Sequence, residues 1–268
     1  MSTPEANPIR LNLHGAACVL ACLEHHPKAI LELATTAEFL KETPGLSEKL
    51  KALNLRATVV PNSRELSSLV GHTCEDIYAV TRRPELSHTK VADFTEWRNA
   101  HETIVIADDF TRPEDLATLA RSMASFGLQR LLLSNRSETL AYHPVAWQNS
   151  QGALERIKLA HAHALGGLLK LVEDRCCVVG FSSDIGRKIE LANPVRVPGR
   201  HLALLFSGGK LDPDLQTRAE HCFRLPGQPP LSVTESIPLI IAWLAHQPKP
   251  RADGFLARKK ARHSKKTS

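Results

Sequence analysis

Short, largely apolar runs separated by amphipathic stretches recur through the second half of this chain, and no other feature narrows its fold as far. TIVIADDF from Thr103, LQRLLL over Leu128–Leu133, CCVVGF over Cys176–Phe181 and HLALLF over His201–Phe206 are each too short to span a membrane. They are also continuous rather than alternating, the pattern of strands buried on both faces. Between them lie helical patterns. Pro113–Phe126 puts Leu116, Leu119, Ala120, Met123 and Phe126 on one face, with Gly127 placed to end the helix. Ala162–Asp174 is a second predicted helix. Asp212–Glu220 is a third, opened by Asp212 as cap and Pro213 in the first turn. Leu231–His246 closes the fold with Ile237, Leu239, Ile240, Ile241, Trp243 and Leu244 on its apolar side, and Pro248 and Pro250 stop it. His221–Leu225 reads as a short strand, and Ser150–Leu159 as loop. Strand and helix in alternation predict an α/β domain over 102–250 with a mostly parallel sheet.

Residues 1–83 form a smaller unit of their own. Asn12–Leu23 has apolar residues at helical spacing, Lys28–Leu33 reads as a buried strand and Thr36–Lys41 as a helix. Leu46–Leu53 is helical, Arg56–Val60 a short strand, and Asn62 with Glu65 three residues later marks the start of another helix. Ile77–Val80 completes an αβαβ pattern. Residues 84–101 are polar without a sustained period, which predicts a linker with one helical turn. No internal repeat is visible.

The chain has 268 residues, and its net charge of +6 is unevenly placed. Residues 251–268 hold seven basic residues and one acid, so the totals of 34 and 28 leave 27 of each in residues 1–250. The globular part is neutral and the basicity is a tail, suited to phosphate backbones through counterion release or simply to solvation. There is no apolar run long enough for a membrane helix. Met1–Arg10, with Pro4, Glu5 and Pro8, lacks a signal-peptide layout, so a soluble, cytoplasmic protein is expected. Six cysteines form no CxxC pair, and disulfides are not expected. Cys18, Cys22 and His26 share a helical face, yet small buried thiols account for that pattern better than zinc does. His161 and His163, one residue apart, are read the same way, and no metal is predicted.

No G-x-G-x-x-G follows a strand and no Walker A sequence occurs. Gly180-Phe181-Ser182-Ser183-Asp184 lacks the second glycine of a nucleophile elbow. Three segments together do carry a resemblance. Asp108–Leu133 (DDFTRPEDLATLARSMASFGLQRLLL) is similar to a strand, turn, helix and Phe-Gly motif. Leu202–Leu215 (LALLFSGGKLDPDL) is similar to a glycine-rich loop after a late strand. Phe223–Leu244 (FRLPGQPPLSVTESIPLIIAWL) is similar to a closing motif that leads into an apolar helix. Between them, His143-Pro144 and Ser150-Gln151-Gly152-Ala153 also correspond. In order and spacing these resemble the SpoU/TrmH-type RNA ribose 2′-O-methyltransferases of the SPOUT superfamily. The N-terminal unit resembles the L30e-like substrate-binding domain that precedes many of them.

The resemblance implies a deep trefoil knot late in the second domain and S-adenosyl-L-methionine held mainly by backbone groups of the knot loops. The cofactor contacts would be Phe206, Ser207, Gly208, Gly209, Leu225, Pro226, Leu231 and Ser232. It places Arg121, Asp115, Ser232 and Thr234 at the reacting ribose, and implies a homodimer through the knot region acting on ribosomal or transfer RNA. A guanidinium keeps its protons near neutral pH, so Arg121 suits a phosphate clamp and electrostatic stabiliser better than a general base. Its plainer role is a surface arginine paired with Glu114 or Asp115. The sequence departs from the family pattern at several points. Asp115 stands for an asparagine, Ala117 for a glycine and Thr234 for an asparagine between Ser232 and Ser236. The loop Ser207-Gly208-Gly209-Lys210 is shortened and has no glutamate. Two functions stay open: the methyltransferase, with weakened catalysis, and a knotted RNA-binding or ribosome-associated protein that no longer transfers methyl groups. A nucleotide-binding metabolic enzyme explains neither the tail nor the closing motif.

Overall fold

A computed structural model describes residues 9–83, 85–100, 102–182, 187–188, 201–224 and 231–245. The chain divides into two compact units, each drawn from three stretches of sequence. The first takes residues up to 87, 110–127 and 136–159; the second takes 88–109, 128–135 and those from 160 onward.

The first described element is a strand rather than a helix. β1 (Ile9–His14) buries Leu11 and Leu13 and exposes Arg10 and Asn12, a period of two. Gly15, at φ 89, then turns the chain into α1 (Ala16–His25). The helical spacing from Asn12 onward thus spans two elements. The next six match expectation within a few residues: β2 (Ile30–Thr36), α2 (Ala37–Glu42), α3 (Leu46–Ala52), β3 (Thr58–Val60), α4 (Ser63–Val70) and β4 (Ile77–Arg83). Asn62 caps α4 by accepting the Glu65 amide at 3.0 Å, and Gly71 ends it at φ 79. The strands order β1-β4-β2-β3, with β4 antiparallel to both neighbours and β3 parallel to β2.

Further along come β5 (Ser87–His88), α5 (Val91–Asn99), β6 (Ile104–Asp108), α6 (Pro113–Ser125), β7 (Arg130–Ser134), α7 (Pro144–Asn149) and β8 (Lys158–Ala162). They are followed by α8 (Leu165–Leu171), β9 (Cys176–Phe181), β10 (Arg187–Lys188), β11 (His201–Ser207), α9 (Pro213–Arg218), β12 (His221–Arg224) and α10 (Val233–Ala245). Three of these correct the sequence reading. α5 occupies the segment expected as a linker: Asp93 accepts the Lys90 amide at 2.7 Å to start it, and only Phe94 and Trp97 are fully buried among its polar residues. α7 begins at Pro144, where no helix was expected. β8 takes Ala160, His161 and Ala162 into a strand, so the helix expected from Ala162 begins three residues later.

In the first unit α6 packs on α7, and α7 on β1. In the second, one sheet has the order β10-β12-β9-β11-β6-β7-β8-β5. From β10 to β7 every neighbouring pair is parallel. Ile104, Ile106, Leu132, Val178, Ala203 and Leu205 of its central strands form one core with Phe94 and Trp97 of α5. This is the mostly parallel α/β sheet expected from the apolar runs. Among the described residues no helix is long and apolar enough to cross a membrane.

Candidate active site

In a parallel sheet the carboxyl ends of the strands are where ligands bind, because the loops there are free to diverge. β11 and β6 lie side by side, with Ser207 level with Asp108. The Gly208 amide donates to the Asp108 carbonyl at 2.8 Å, carrying the ladder one step beyond the strand. Asp109 then adopts φ 54, a left-handed conformation that aspartate tolerates better than most residues. A Cβ on Gly209 would lie 2.8 Å from the Asp109 Oδ2, so the loop backbone runs against that side chain. At the ends of β9, β11 and β12 the buried Phe206 and Phe181 rings stack at 5.1 Å, Phe223 lies 6.3 Å from Phe181, and Trp243 meets Phe223 edge-on at 6.2 Å. Glycine backbone at a sheet's carboxyl edge can hold a ligand through main-chain groups.

The other predicted residues fall in several places. Leu225 and Pro226 lie outside the described residues, as does the tail. Leu231 is half-buried just before α10. Ser232 caps α10: its hydroxyl accepts the Glu235 amide at 3.3 Å and donates to the Glu235 carboxylate at 2.7 Å, and its own amide donates to that carboxylate at 2.8 Å. These bonds from the Ser232 hydroxyl and amide lower the Glu235 pKa below the ordinary glutamate value. Thr234, half-buried, is in the first turn, and Pro238 falls inside the helix, where it withdraws the amide that would reach the Thr234 carbonyl. Asp115 and Arg121 both ride on α6, in the other unit. Asp115 is buried in the first turn and Arg121 is exposed two turns on. Among the described residues Arg121 has no ion-pair partner; Glu114 lies near Arg112 instead, at 3.9 Å.

The shared face of α1 has no spare ligand set. The Cys18 thiol donates to the Trp147 carbonyl at 3.0 Å, and a His26 ring nitrogen lies 3.1 Å from the Glu155 carbonyl. Burial raises the Cys18 thiol to about 11 and the Cys22 thiol to about 12, so both stay protonated. Beside them is an ion pair that sequence reading missed. Arg83 makes a two-pronged contact with Glu155, Nη1 to Oε2 at 3.0 Å, and its guanidinium lies 4.0 Å from the Trp147 ring centroid. Nothing in the spacing of residues 83 and 155 announces it. Gly152, three residues before Glu155, was noticed only through the resemblance. Its φ is 84, and a Cβ there would lie 2.5 Å from that of Ala21.

The parallel sheet, with helices between its strands and a serine-glycine-glycine loop at its carboxyl edge, defines an α/β protein. Residues 102–228 match the SpoU rRNA Methylase family model. Solved structures agree over nearly the whole chain. A TrmH-family protein from Porphyromonas gingivalis is 18% identical with a TM-score of 0.65, covering 88% of this chain and 89% of that one. The SpoU methyltransferase AviRb from Streptomyces viridochromogenes, solved in complex with AdoMet, is 16% identical with a TM-score of 0.67 over 88% and 89%. An RNA 2′-O ribose methyltransferase is 18% identical with a TM-score of 0.65 over 90% and 89%. At these identities the likeness is one of fold. No curated protein matches the chain in sequence.

Proposed function

We propose that this protein is an S-adenosyl-L-methionine-dependent RNA methyltransferase acting on a ribose 2′-hydroxyl of ribosomal or transfer RNA. The observation that carries the reading is the Ser207-Gly208-Gly209 loop. It sits at the carboxyl edge of a family-matched sheet, tied to β6 by the Gly208 amide on the Asp108 carbonyl and lying against the Asp109 side chain. Such a loop holds a ligand through main-chain groups, so the loss of the family's glutamate there need not empty it. Phe206, Ser207, Gly208 and Gly209, with Leu225, Pro226 and Leu231, would bind the cofactor, which supplies an activated methyl group on sulfur. Arg121, charged, exposed and without a carboxylate partner among the described residues, would hold the adjoining phosphate and stabilise the ribose oxygen as it loses its proton. The Ser232 hydroxyl holds Glu235, so its part is to set the start of α10 rather than to touch substrate.

Residues 1–83 and the basic tail would hold the RNA. Arg10 and Arg82 stand directly opposite each other across β1 and β4, both exposed. Like charges in that position repel unless an anion such as phosphate bridges them. The reading includes a trefoil-knotted path through β9, β11 and β12, supported by the order β12-β9-β11-β6. It also includes a homodimer over α10, where Leu239 is 53% exposed and Ile237, Ile240 and Ile241 are buried. Light scattering at micromolar protein tests the dimer; a monomer mass rejects it.

Calorimetry with S-adenosyl-L-methionine tests the cofactor, and tritiated methyl transfer to total RNA tests the reaction. Arg121→Ala should lower transfer about 10²–10³-fold with cofactor binding intact, the usual cost of losing one charge-stabilising donor. Binding without transfer in the wild type, or no heat at millimolar ligand, leaves the second reading, an RNA binder. The observation that favours it is Ser232, whose hydroxyl is spent on Glu235.

A further inference from the structure

His88, His161 and His163 come from β5 and the end of β8, at the sheet edge farthest from β10. Their rings converge. The centroids of His88 and His161 are 5.1 Å apart, those of His88 and His163 5.0 Å, and those of His161 and His163 4.7 Å. One ligating nitrogen from each ring lies within 4.8 Å of the other two. Three imidazoles each holding a metal at about 2.0–2.1 Å with tetrahedral angles have centroids about 5.2 Å apart, close to the spacing found here. We propose that these three histidines form a binding site for a divalent transition metal of the zinc class, with water in the fourth position.

Three further observations support a built site rather than a chance cluster. The Thr89 amide donates to the His161 carbonyl at 2.8 Å, so two of the rings ride on strands that are already paired. Asn135 Oδ1 accepts from His163 Nδ1 at 2.9 Å, which fixes that ring's tautomer and leaves Nε2 as its lone-pair nitrogen. A second group that orients a ligating histidine in this way is a recurrent part of metal sites. His161 is buried while His88 and His163 are exposed, so one side of the triad is open to an entering ion. Neutral imidazoles suit zinc, copper, nickel and iron, whereas magnesium and calcium ask for oxygen.

β8 is three strands from β11, roughly 14 Å at the usual strand spacing, so this site is separate from the glycine loop. Its work is mechanical. β5 is only two residues long and forms the edge of its sheet, and a metal bridging residues 88 and 161 would clip it in place across a long loop.

The test uses the full chain, stripped with chelator and titrated with Co²⁺ alone, read by visible absorption. Expected are the bands of a tetrahedral nitrogen site saturating at one equivalent and displaced by Zn²⁺. His88→Ala and His163→Ala, both at exposed positions and checked for folding by circular dichroism, should each weaken binding by at least about 10-fold. Asn135→Ala should weaken it by about 10–100-fold. No stoichiometric band, affinity unchanged in folded His88→Ala, or a sulfur-to-cobalt band showing the ion on cysteine, each overturns the site. Methyl transfer enters none of these readouts, so the site stands or falls independently of the proposed activity.

Discussion

Glu155 and Arg83 are both almost fully buried, and each is the other's partner. Removing one charge strands the other in a low-dielectric interior, so Glu155→Gln should destabilise the protein by about 3–5 kcal/mol in urea unfolding. The double variant Arg83→Met/Glu155→Leu should cost much less, because it leaves no buried charge behind. A double variant as unstable as the single one would show that the pair is held by packing on Trp147 instead. Gly152 makes a sharper demand. Its left-handed backbone and its contact with Ala21 give Gly152→Ala two separate costs, roughly 2 kcal/mol or more together. A change under 0.5 kcal/mol would contradict that geometry. Neither site was legible as a contact in the sequence. A lone arginine and a glutamate 72 positions later have no local signature, and the glycine was noticed only through the family resemblance.

Elements are where the sequence spoke most clearly, and α10 shows both its reach and its limit. The apolar side of the helix was visible, and Ile237, Ile240, Ile241 and Leu244 are buried as expected. The part played by Ser232 was not, because a serine before a helix reads equally as cap and as ligand. Ser232→Ala should lower stability by about 1 kcal/mol through loss of the cap. The same bonds depress the Glu235 pKa in the folded state. Their contribution is therefore present above the unfolded glutamate value and is lost as pH falls through the lower, folded value. Thermal melts of Glu235→Gln and wild type should differ at neutral pH and converge in acid. A gap that persists below the folded value would remove Glu235 from the cap. α5 and β8 were missed for a different reason. Their buried residues are few and sit among histidines, threonines and charges, so neither period rises above the background. β1 was lost because its alternation runs directly into the helix that follows.

Across the whole molecule the charge is split between a neutral globular part and a basic tail. Deleting residues 251–268 should weaken RNA binding and flatten its salt dependence by about 0.7–0.9 in the log–log slope for each cation that meets a phosphate. An unchanged slope in filter binding from 50 to 200 mM salt would mean that the tail does not touch RNA. Read alone, the sequence determined the class of fold, the run of buried strands, most helices and the resemblance of residues 102–228 to the SpoU methylases. These rest on local periodicity and on motifs whose parts lie close along the chain. Tertiary structure alone decided the strand order, the pairing of Arg83 with Glu155, the capping duty of Ser232 and the meeting of His88 with His161 and His163. Each depends on where distant segments come to rest in the packed sheet, and the period of one segment carries no record of which other segment will lie beside it.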